Sequence, residues 1–175
     1  RESAETLKVW PHKFSLEYVV QLSAVSLTMK LTATNTGKKA FSFQALLHTY
    51  FAVDEIAGVA VRGLAGRTYT DKVDGGALKT QEARDIALPS FVDRVHHGPT
   101  DQPGADKDVL ILARPPAPLG FLFPPPLQPA YVTTNAAFIG GEPKPVDVVV
   151  WNPYAAASPG DLPPPAYRKF VCVEP

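Results

Sequence analysis

Apolar and polar residues alternate along the first third of the chain, and a period of two is typical of β-strands. One alternating run covers residues 14–22 and a second covers residues 27–34, followed by the turn residues Asn35-Thr36-Gly37-Lys38. We interpret the segment from Phe41 to Phe51 as a third strand. Three strands joined by short turns are expected to be neighbours in one sheet. The third strand would place Phe41, Phe43, Ala45, Leu47 and Phe51 on one face, and Ser42, Gln44, Leu46, His48 and Tyr50 on the other.

Short apolar and β-branched runs continue through the rest of the chain, and turn-rich intervals separate them. No long segment keeps helical spacing, and residues 79–85 carry only a weak signal for one helical turn. The pattern therefore predicts an all-β fold, an antiparallel β-sandwich or barrel. The further predicted strands are at residues 59–61, 91–95, 109–112, 146–151 and 170–173.

Length and charge limit the classes of function. A chain of 175 residues is long enough for one domain with a substantial core, and 45% hydrophobic residues exclude a disordered composition. The 17 basic and 17 acidic residues cancel, so there is no basic footprint for nucleic acid or for an anionic membrane. No apolar run approaches the ~20 residues that span a bilayer. The partner is therefore expected to be a small molecule or a protein surface.

Cysteine and proline usage add two expectations. Cys172 is the single cysteine, which excludes an internal disulfide framework and a cysteine-rich zinc site. This fits a reducing compartment, and we expect the cytoplasm, with an organellar lumen or stroma as the alternative. Of the 19 prolines, 15 lie after residue 114, and we interpret residues 114–131 as a proline-rich insertion in a single domain spanning 1–175. Presentation of polyproline II backbone to a recognition domain is the alternative to a plain surface loop.

Four histidines are candidates for chemistry. His12 follows a proline and is expected in a surface loop. His96 and His97 are adjacent, so on a strand they face opposite ways, and a metal site there would need ligands from elsewhere. His48 lies in a better specified strand. Either it is a histidine satisfied by ordinary hydrogen bonds, or it is catalytic and requires a partner.

Two carboxylates are candidate partners for His48. Glu174 would share a strand face with Arg168, Phe170 and Cys172, and partial desolvation there would raise its pKa toward that of a general base. The alternative is an exposed glutamate at the end of a strand. Asp93 lies in an apolar run, where it could equally form a surface ion pair with Arg94. The sequence shows no nucleophilic serine motif, phosphate-binding glycine loop or dinucleotide fingerprint.

Several segments, taken together and in order, resemble the hexose-6-phosphate mutarotase branch (glucose-6-phosphate 1-epimerases) of the aldose 1-epimerase superfamily. The resemblance implies a galactose mutarotase-like antiparallel β-sandwich that holds a sugar in a concave cleft and needs no cofactor or metal. It also implies that His48 and Glu174 are the catalytic pair and that Asp93 contacts sugar hydroxyls. The segments that carry it are residues 41–51, 61–71, 92–95, 147–153, and 161 through Tyr167 to 171–175.

The chain also departs from that family. Its members are longer at both ends, and the arginines that they use for the sugar phosphate lie largely upstream of the matching region. We therefore expect a partner chain or further segments to cover sheet edges here. Two functions remain: interconversion of the α and β anomers of a hexose 6-phosphate, with glucose 6-phosphate favoured, or a catalytically silent structural or sugar-binding subunit of a larger assembly. Retention of both His48 and Glu174 favours the enzyme, although little activity is expected of the 175 residues alone.

Overall fold

The computed structural model describes residues 1–98, 109–113, 131–133, 137–139, 142–155, 157, 160, 162–163 and 165–175. Within these residues every strand pair is antiparallel, and the only α-helix is six residues long. The prediction of an all-β antiparallel fold is therefore confirmed. None of the described helices has the length and apolarity that crossing a membrane requires. Apart from Tyr131, the proposed insertion at residues 114–131 lies outside the described residues.

The elements follow one another in this order: α1 (Ala4–Val9), β1 (Phe14–Leu22), β2 (Leu27–Asn35), β3 (Tyr50–Ala52), β4 (Ala60–Arg62), β5 (Thr68–Asp71), β6 (Ala77–Thr80), β7 (Asp85–Ala87), β8 (Val92–His96), β9 (Val109–Leu112), β10 (Tyr131–Thr133), β11 (Ala137–Ile139), β12 (Glu142–Lys144), β13 (Val148–Asn152) and β14 (Phe170–Glu174). Short 3₁₀ helices cover Ile56–Gly58, Lys72–Asp74 and Ala166–Lys169. The chain divides into two compact units, Arg1–Ala45 and Leu46–Pro175.

The first unit is built around the β1–β2 hairpin. Both strands are as predicted, and their register places apolar side chains opposite one another, such as Tyr18 opposite Leu31 and Val20 opposite Met29. The hydroxyl of Ser23 accepts the backbone N–H of Ser26 and so closes the turn. This apolar face is largely exposed, because a two-stranded hairpin has no second layer of its own to bury it.

The third predicted strand is wrong over most of its length. Only Tyr50–Ala52 forms a strand, β3, and it pairs with β14 near the end of the chain rather than with β2. The preceding residues alternate in polarity but have no neighbouring strand to complete their hydrogen bonds, and alternation alone does not make a ladder. The ring of Phe41 instead packs edge-to-face against the ring of Trp10, with ring centres 4.9 Å apart, and Phe43 is exposed.

The second unit contains two larger sheets that share one apolar core, and a separate two-stranded sheet formed by β11 and β12. A four-stranded sheet has the order β10-β9-β4-β7, and a six-stranded sheet has the order β3-β14-β13-β8-β5-β6. The core side chains come from both sheets, as expected for a sandwich. Burial of β-branched residues on alternate positions fixes which face of each strand points inward. The core comprises Val53, Ile56, Val59, Val61, Leu64, Ile86, Leu88, Val92, Val109, Ile111, Ala113, Val148, Val150, Val171 and Val173.

The strands predicted after residue 55 are confirmed as β4, β8, β9, β13 and β14, with shifts of one or two residues at their ends. The weak helical signal at residues 79–85 is wrong, because that stretch ends β6 and begins β7. Strands β10, β11 and β12 were not predicted, and neither were β5, β6 and β7. The latter three strands are three or four residues long and rich in threonine, lysine and aspartate, so their polarity hid them.

Candidate active site

One face of the six-stranded sheet points away from the core and carries the candidate residues. In register, Cys172 of β14 lies opposite Tyr50 of β3 on one side and Trp151 of β13 on the other. Trp151 in turn lies opposite Asp93 of β8. Side chains directly opposite in an antiparallel ladder share a face, so these four form one row. Glu174 comes two residues after Cys172 and therefore joins the same face.

His48 and Glu174 are in contact. His48 Nδ1 lies 3.0 Å from Glu174 Oε1, the side chain of Glu174 is 2% exposed, and that of His48 is 46% exposed. The imidazole stacks on Tyr50 with ring centres 4.9 Å apart, and it meets the Trp151 ring edge-to-face at 5.7 Å. His48 lies just before β3, so its ring is held by aromatic contacts and not by strand pairing. The exposed side of the imidazole is open to a ligand.

The pKa of the Glu174 carboxyl is raised to about 7, mainly by burial and also by the negative charge of Asp93. A hydrogen bond with the Cys172 thiol and the positive charge of Lys72 act in the opposite direction. The expectation of a partly desolvated glutamate is confirmed, and the alternative of an exposed glutamate at a strand end is wrong. A carboxyl that titrates near neutrality is suited to general base catalysis at physiological pH.

Asp93 is half-buried and faces the site, while its neighbour Arg94 points to the opposite face of the sheet. There the Arg94 guanidinium lies 4.9 Å from the centre of the Tyr69 ring and donates to Gln81 Oε1 at 3.3 Å. Among the described residues no ion pair joins Asp93 to Arg94, so that alternative is wrong. Contact between Asp93 and sugar hydroxyls stays a prediction.

Asn152 holds the two central strands of the site together, a role that the sequence did not indicate. It is fully buried, and its Nδ2 donates to the carbonyl oxygens of Tyr167 and Phe170, both at 2.9 Å. Its Oδ1 accepts the backbone N–H of Tyr154, a residue with positive φ. The amide thus ties the end of β13 to the start of β14. The sequence also indicated no role for Tyr50 or Trp151, although residues 147–153, which carry part of the resemblance, include Trp151 and Asn152.

His96 lies on the core side of β8, whereas His97 lies on the same side of the sheet as Asp93 but two strands away from Glu174. His96 is fully buried with Nε2 3.5 Å from Gln81 Oε1, and burial lowers its pKa to about 4. His97 follows β8, with Nε2 2.9 Å from the hydroxyl of Thr70. His12 packs beside the ring of Trp10 at 5.0 Å. Among the described residues, neither His96 nor His97 belongs to a group of three potential metal ligands.

Comparison with known proteins gives consistent matches. The chain is 31% identical to a protein of Cenchrus ciliaris and 31% identical to one of Escherichia coli, each named as a candidate glucose-6-phosphate 1-epimerase. These alignments cover 100% and 99% of this chain, but 47% and 49% of the relatives. The chain thus spans about half the length of the curated relatives that it matches.

A solved structure of a candidate mutarotase from Salmonella typhimurium superposes with a TM-score of 0.65 at 25% sequence identity. The superposition covers 99% of this chain and 50% of that one. The family model described as aldose 1-epimerase matches residues 1–175. The chain therefore belongs to the aldose 1-epimerase family.

Proposed function

We propose that the protein interconverts the α and β anomers of a hexose 6-phosphate, with glucose 6-phosphate as the favoured substrate. The observation that carries the proposal is the contact between His48 and a buried Glu174 whose pKa is raised to about 7. Membership of the aldose 1-epimerase family and the names of two relatives support the same reaction and substrate.

The chemistry follows from where protons must move. Opening the ring requires removal of the proton on O1, cleavage of the C1–O5 bond and protonation of O5. Glu174 as a carboxylate accepts the O1 proton, and His48 as an imidazolium donates to O5. Rotation about C1–C2 turns the other face of the aldehyde toward the 5-hydroxyl. His48 then recovers its proton from O5, Glu174 returns its proton to O1, and the ring closes as the other anomer. Each such proton transfer contributes typically ~10²–10⁴-fold.

The geometry supports this division of work. O1 and O5 are both bonded to C1, so two groups whose polar atoms lie 3.0 Å apart can serve both oxygens of one centre. A direct contact leaves no room for a whole sugar ring between the two side chains, so the C1 unit approaches from the exposed side of His48. The aromatic rings of Tyr50 and Trp151 give an apolar wall for the sugar, and Asp93 supplies an acceptor for its hydroxyls.

The test is anomer exchange of glucose 6-phosphate, followed by polarimetry from the pure α anomer. We expect acceleration over buffer by the full-length protein, loss of that acceleration in His48→Ala, and retention in His97→Ala, which alters a histidine that lies against Thr70 and Asp147 rather than against Glu174. Failure of the folded protein to accelerate exchange would contradict the proposal and favour a structural or sugar-binding role. Parallel runs with glucose show whether the phosphate is required.

Two further expectations accompany the proposal. Location in the cytoplasm stays a prediction that is based on the single cysteine. A protein partner or further segments over the sheet edges also stay a prediction, and the exposed apolar face of the β1–β2 hairpin supports it.

A further inference from the structure

Three potential metal ligands of different chemistry meet at the proposed active site. The Nδ1 of His48, the Sγ of Cys172 and a carboxylate oxygen of Glu174 all lie within 4.8 Å of one another. Cys172 and Glu174 share a face of β14 because they are two residues apart. Tyr50 lies opposite Cys172 and its ring stacks on His48, so backbone pairing and ring packing bring His48 to the same point.

We propose that His48, Cys172 and Glu174 bind one Zn²⁺ ion, and that this ion reversibly inhibits the enzyme. The inhibitory part of the proposal rests on the proposed function, whereas the metal site itself does not. An ion held here occupies the lone pairs of Glu174 and His48 that proton transfer uses, so zinc competes with the sugar.

Distances fit a tetrahedral ion. Zn–N and Zn–O bonds are about 2.0–2.2 Å long, so a nitrogen and an oxygen bound to one tetrahedral ion lie ~3.3 Å apart. A Zn–S bond is about 2.3 Å long, which places a bound sulfur ~3.5 Å from each of those two atoms. The separation of 3.0 Å between His48 Nδ1 and Glu174 Oε1 is already close to the first value. The Cys172 Sγ lies at most 4.8 Å from each of the other two ligand atoms. A side-chain adjustment alone would bring it to the second value.

An independent feature also points to a ligand. Glu174 Oε1 is buried, and among the described residues it has no hydrogen-bond partner, although it lies 3.0 Å from His48 Nδ1. The two atoms are close without meeting in hydrogen-bond geometry. A cation between them would satisfy both lone pairs, and buried polar atoms in native proteins normally have such a partner.

The donor set selects the kind of metal. Thiolate and imidazole ligands suit zinc and similar transition metals, whereas magnesium and calcium prefer oxygen ligands. Three protein ligands leave a fourth position for water, as in zinc sites that exchange their ligand. His48 is 46% exposed, so this position has access to solvent. The nearby negative charge of Asp93 favours a cation, and Lys72 opposes it in part.

Cobalt(II) is the probe for the metal site, because cobalt thiolate bonds give a charge-transfer absorption in the near ultraviolet. The chain has one cysteine, so a band of this kind assigns the ligand to Cys172 without ambiguity. We expect one equivalent of Co²⁺ to give the band, Zn²⁺ to displace it, and Cys172→Ser to abolish it. His48→Ala should weaken binding at least about tenfold, while His97→Ala should bind as the original chain does.

Two results would overturn the metal site. One is the absence of the band in the folded protein. The other is a Co²⁺ affinity that stays unchanged in both Cys172→Ser and His48→Ala. His48 is partly exposed, so its variant should fold even if substitution of the buried Cys172 disturbs β14, and circular dichroism checks both. Metal binding without anomer exchange would refute the proposed reaction alone. If the protein binds Zn²⁺ but micromolar to millimolar Zn²⁺ leaves the rate of anomer exchange unchanged, the inhibitory role is refuted.

Discussion

Replacing Glu174 by glutamine should change how the stability of the fold depends on pH. The side chain of Glu174 is 2% exposed, and burial together with the charge of Asp93 raises the pKa of its carboxyl from 4.5 to about 7. The folded chain therefore holds the Glu174 proton more tightly than the unfolded chain does. Its contribution to stability is fully present below pH 4.5 and is lost as the pH rises through about 7. Glutamine keeps the shape and cannot ionise.

The size of the effect follows from the pKa values. The difference between 4.5 and about 7 is about 2.5 pKa units, and at 1.36 kcal/mol per unit this is about 3 kcal/mol. Most of that loss falls between pH 5 and pH 8. The Glu174→Gln variant should therefore gain about 2.5 kcal/mol in unfolding free energy over the original chain as the pH is raised across this interval. The charge that the proposed reaction requires of Glu174 thus costs stability at neutral pH.

Urea unfolding at pH 5 and at pH 8, followed by the tryptophan fluorescence to which Trp10 and Trp151 both contribute, measures this difference. Packing differences between glutamate and glutamine are the same at both pH values, and other titrating groups are shared, so both cancel in the comparison. A difference in unfolding free energy between the two proteins that stays constant from pH 5 to pH 8 would refute the assignment of Glu174 as a buried carboxyl that titrates near neutrality.

Three further predictions follow from the same structure. Asp93→Asn removes the charge that raises the pKa of Glu174, so the acidic limb of the kcat/KM profile should move to lower pH; an unmoved limb would argue against this coupling. His96 has a folded pKa of about 4 against 6.5, so its stabilising contribution of about 3 kcal/mol is present above pH 6.5 and lost on acidification toward pH 4. In the Glu174→Gln background, His96→Phe should therefore flatten the acid loss of unfolding free energy, and an equally steep loss would contradict the assignment. Gly98→Ala should cost about 1–3 kcal/mol of unfolding free energy, because a Cβ there would lie 2.6 Å from a backbone nitrogen. Gly58→Ala, where a Cβ meets nothing within 4 Å, is its matched control, and equal losses would exclude the steric explanation.

Strands that carry β-branched residues on a buried face could be predicted from the sequence. β13 and β14 alternate or run apolar because their inward side chains fill the sandwich core, and their positions were predicted closely. The segment before β3 shows the limit of this reasoning. Its alternation resembles a strand, but strand formation depends on a neighbour whose hydrogen bonds it completes, and pairing is a property of the whole fold.

The candidate site, like the fold, could be predicted only in part from the sequence. The resemblance to the mutarotases named His48, Glu174 and Asp93, and the structure brings all three to one face of a sheet. The desolvation of Glu174 was foreseen from Phe170 and Cys172 on the same strand. The stacking of His48 on Tyr50 could not be foreseen, because it depends on side-chain packing just before a strand whose start was predicted wrongly. The role of Asn152 in joining β13 to β14 depends on backbone carbonyls that no motif encodes.

The central claim is that His48 and Glu174 act as one proton-transfer unit on a sugar. Two-dimensional exchange NMR of the α and β anomers of glucose 6-phosphate tests it most directly, with the original protein, both single variants His48→Ala and Glu174→Gln, and the double variant. We predict that each single substitution lowers the exchange rate by at least ~10²-fold, and that the double variant loses little more, since residues that act as a unit are not additive. Exchange at the original rate in a folded Glu174→Gln protein would contradict the claim.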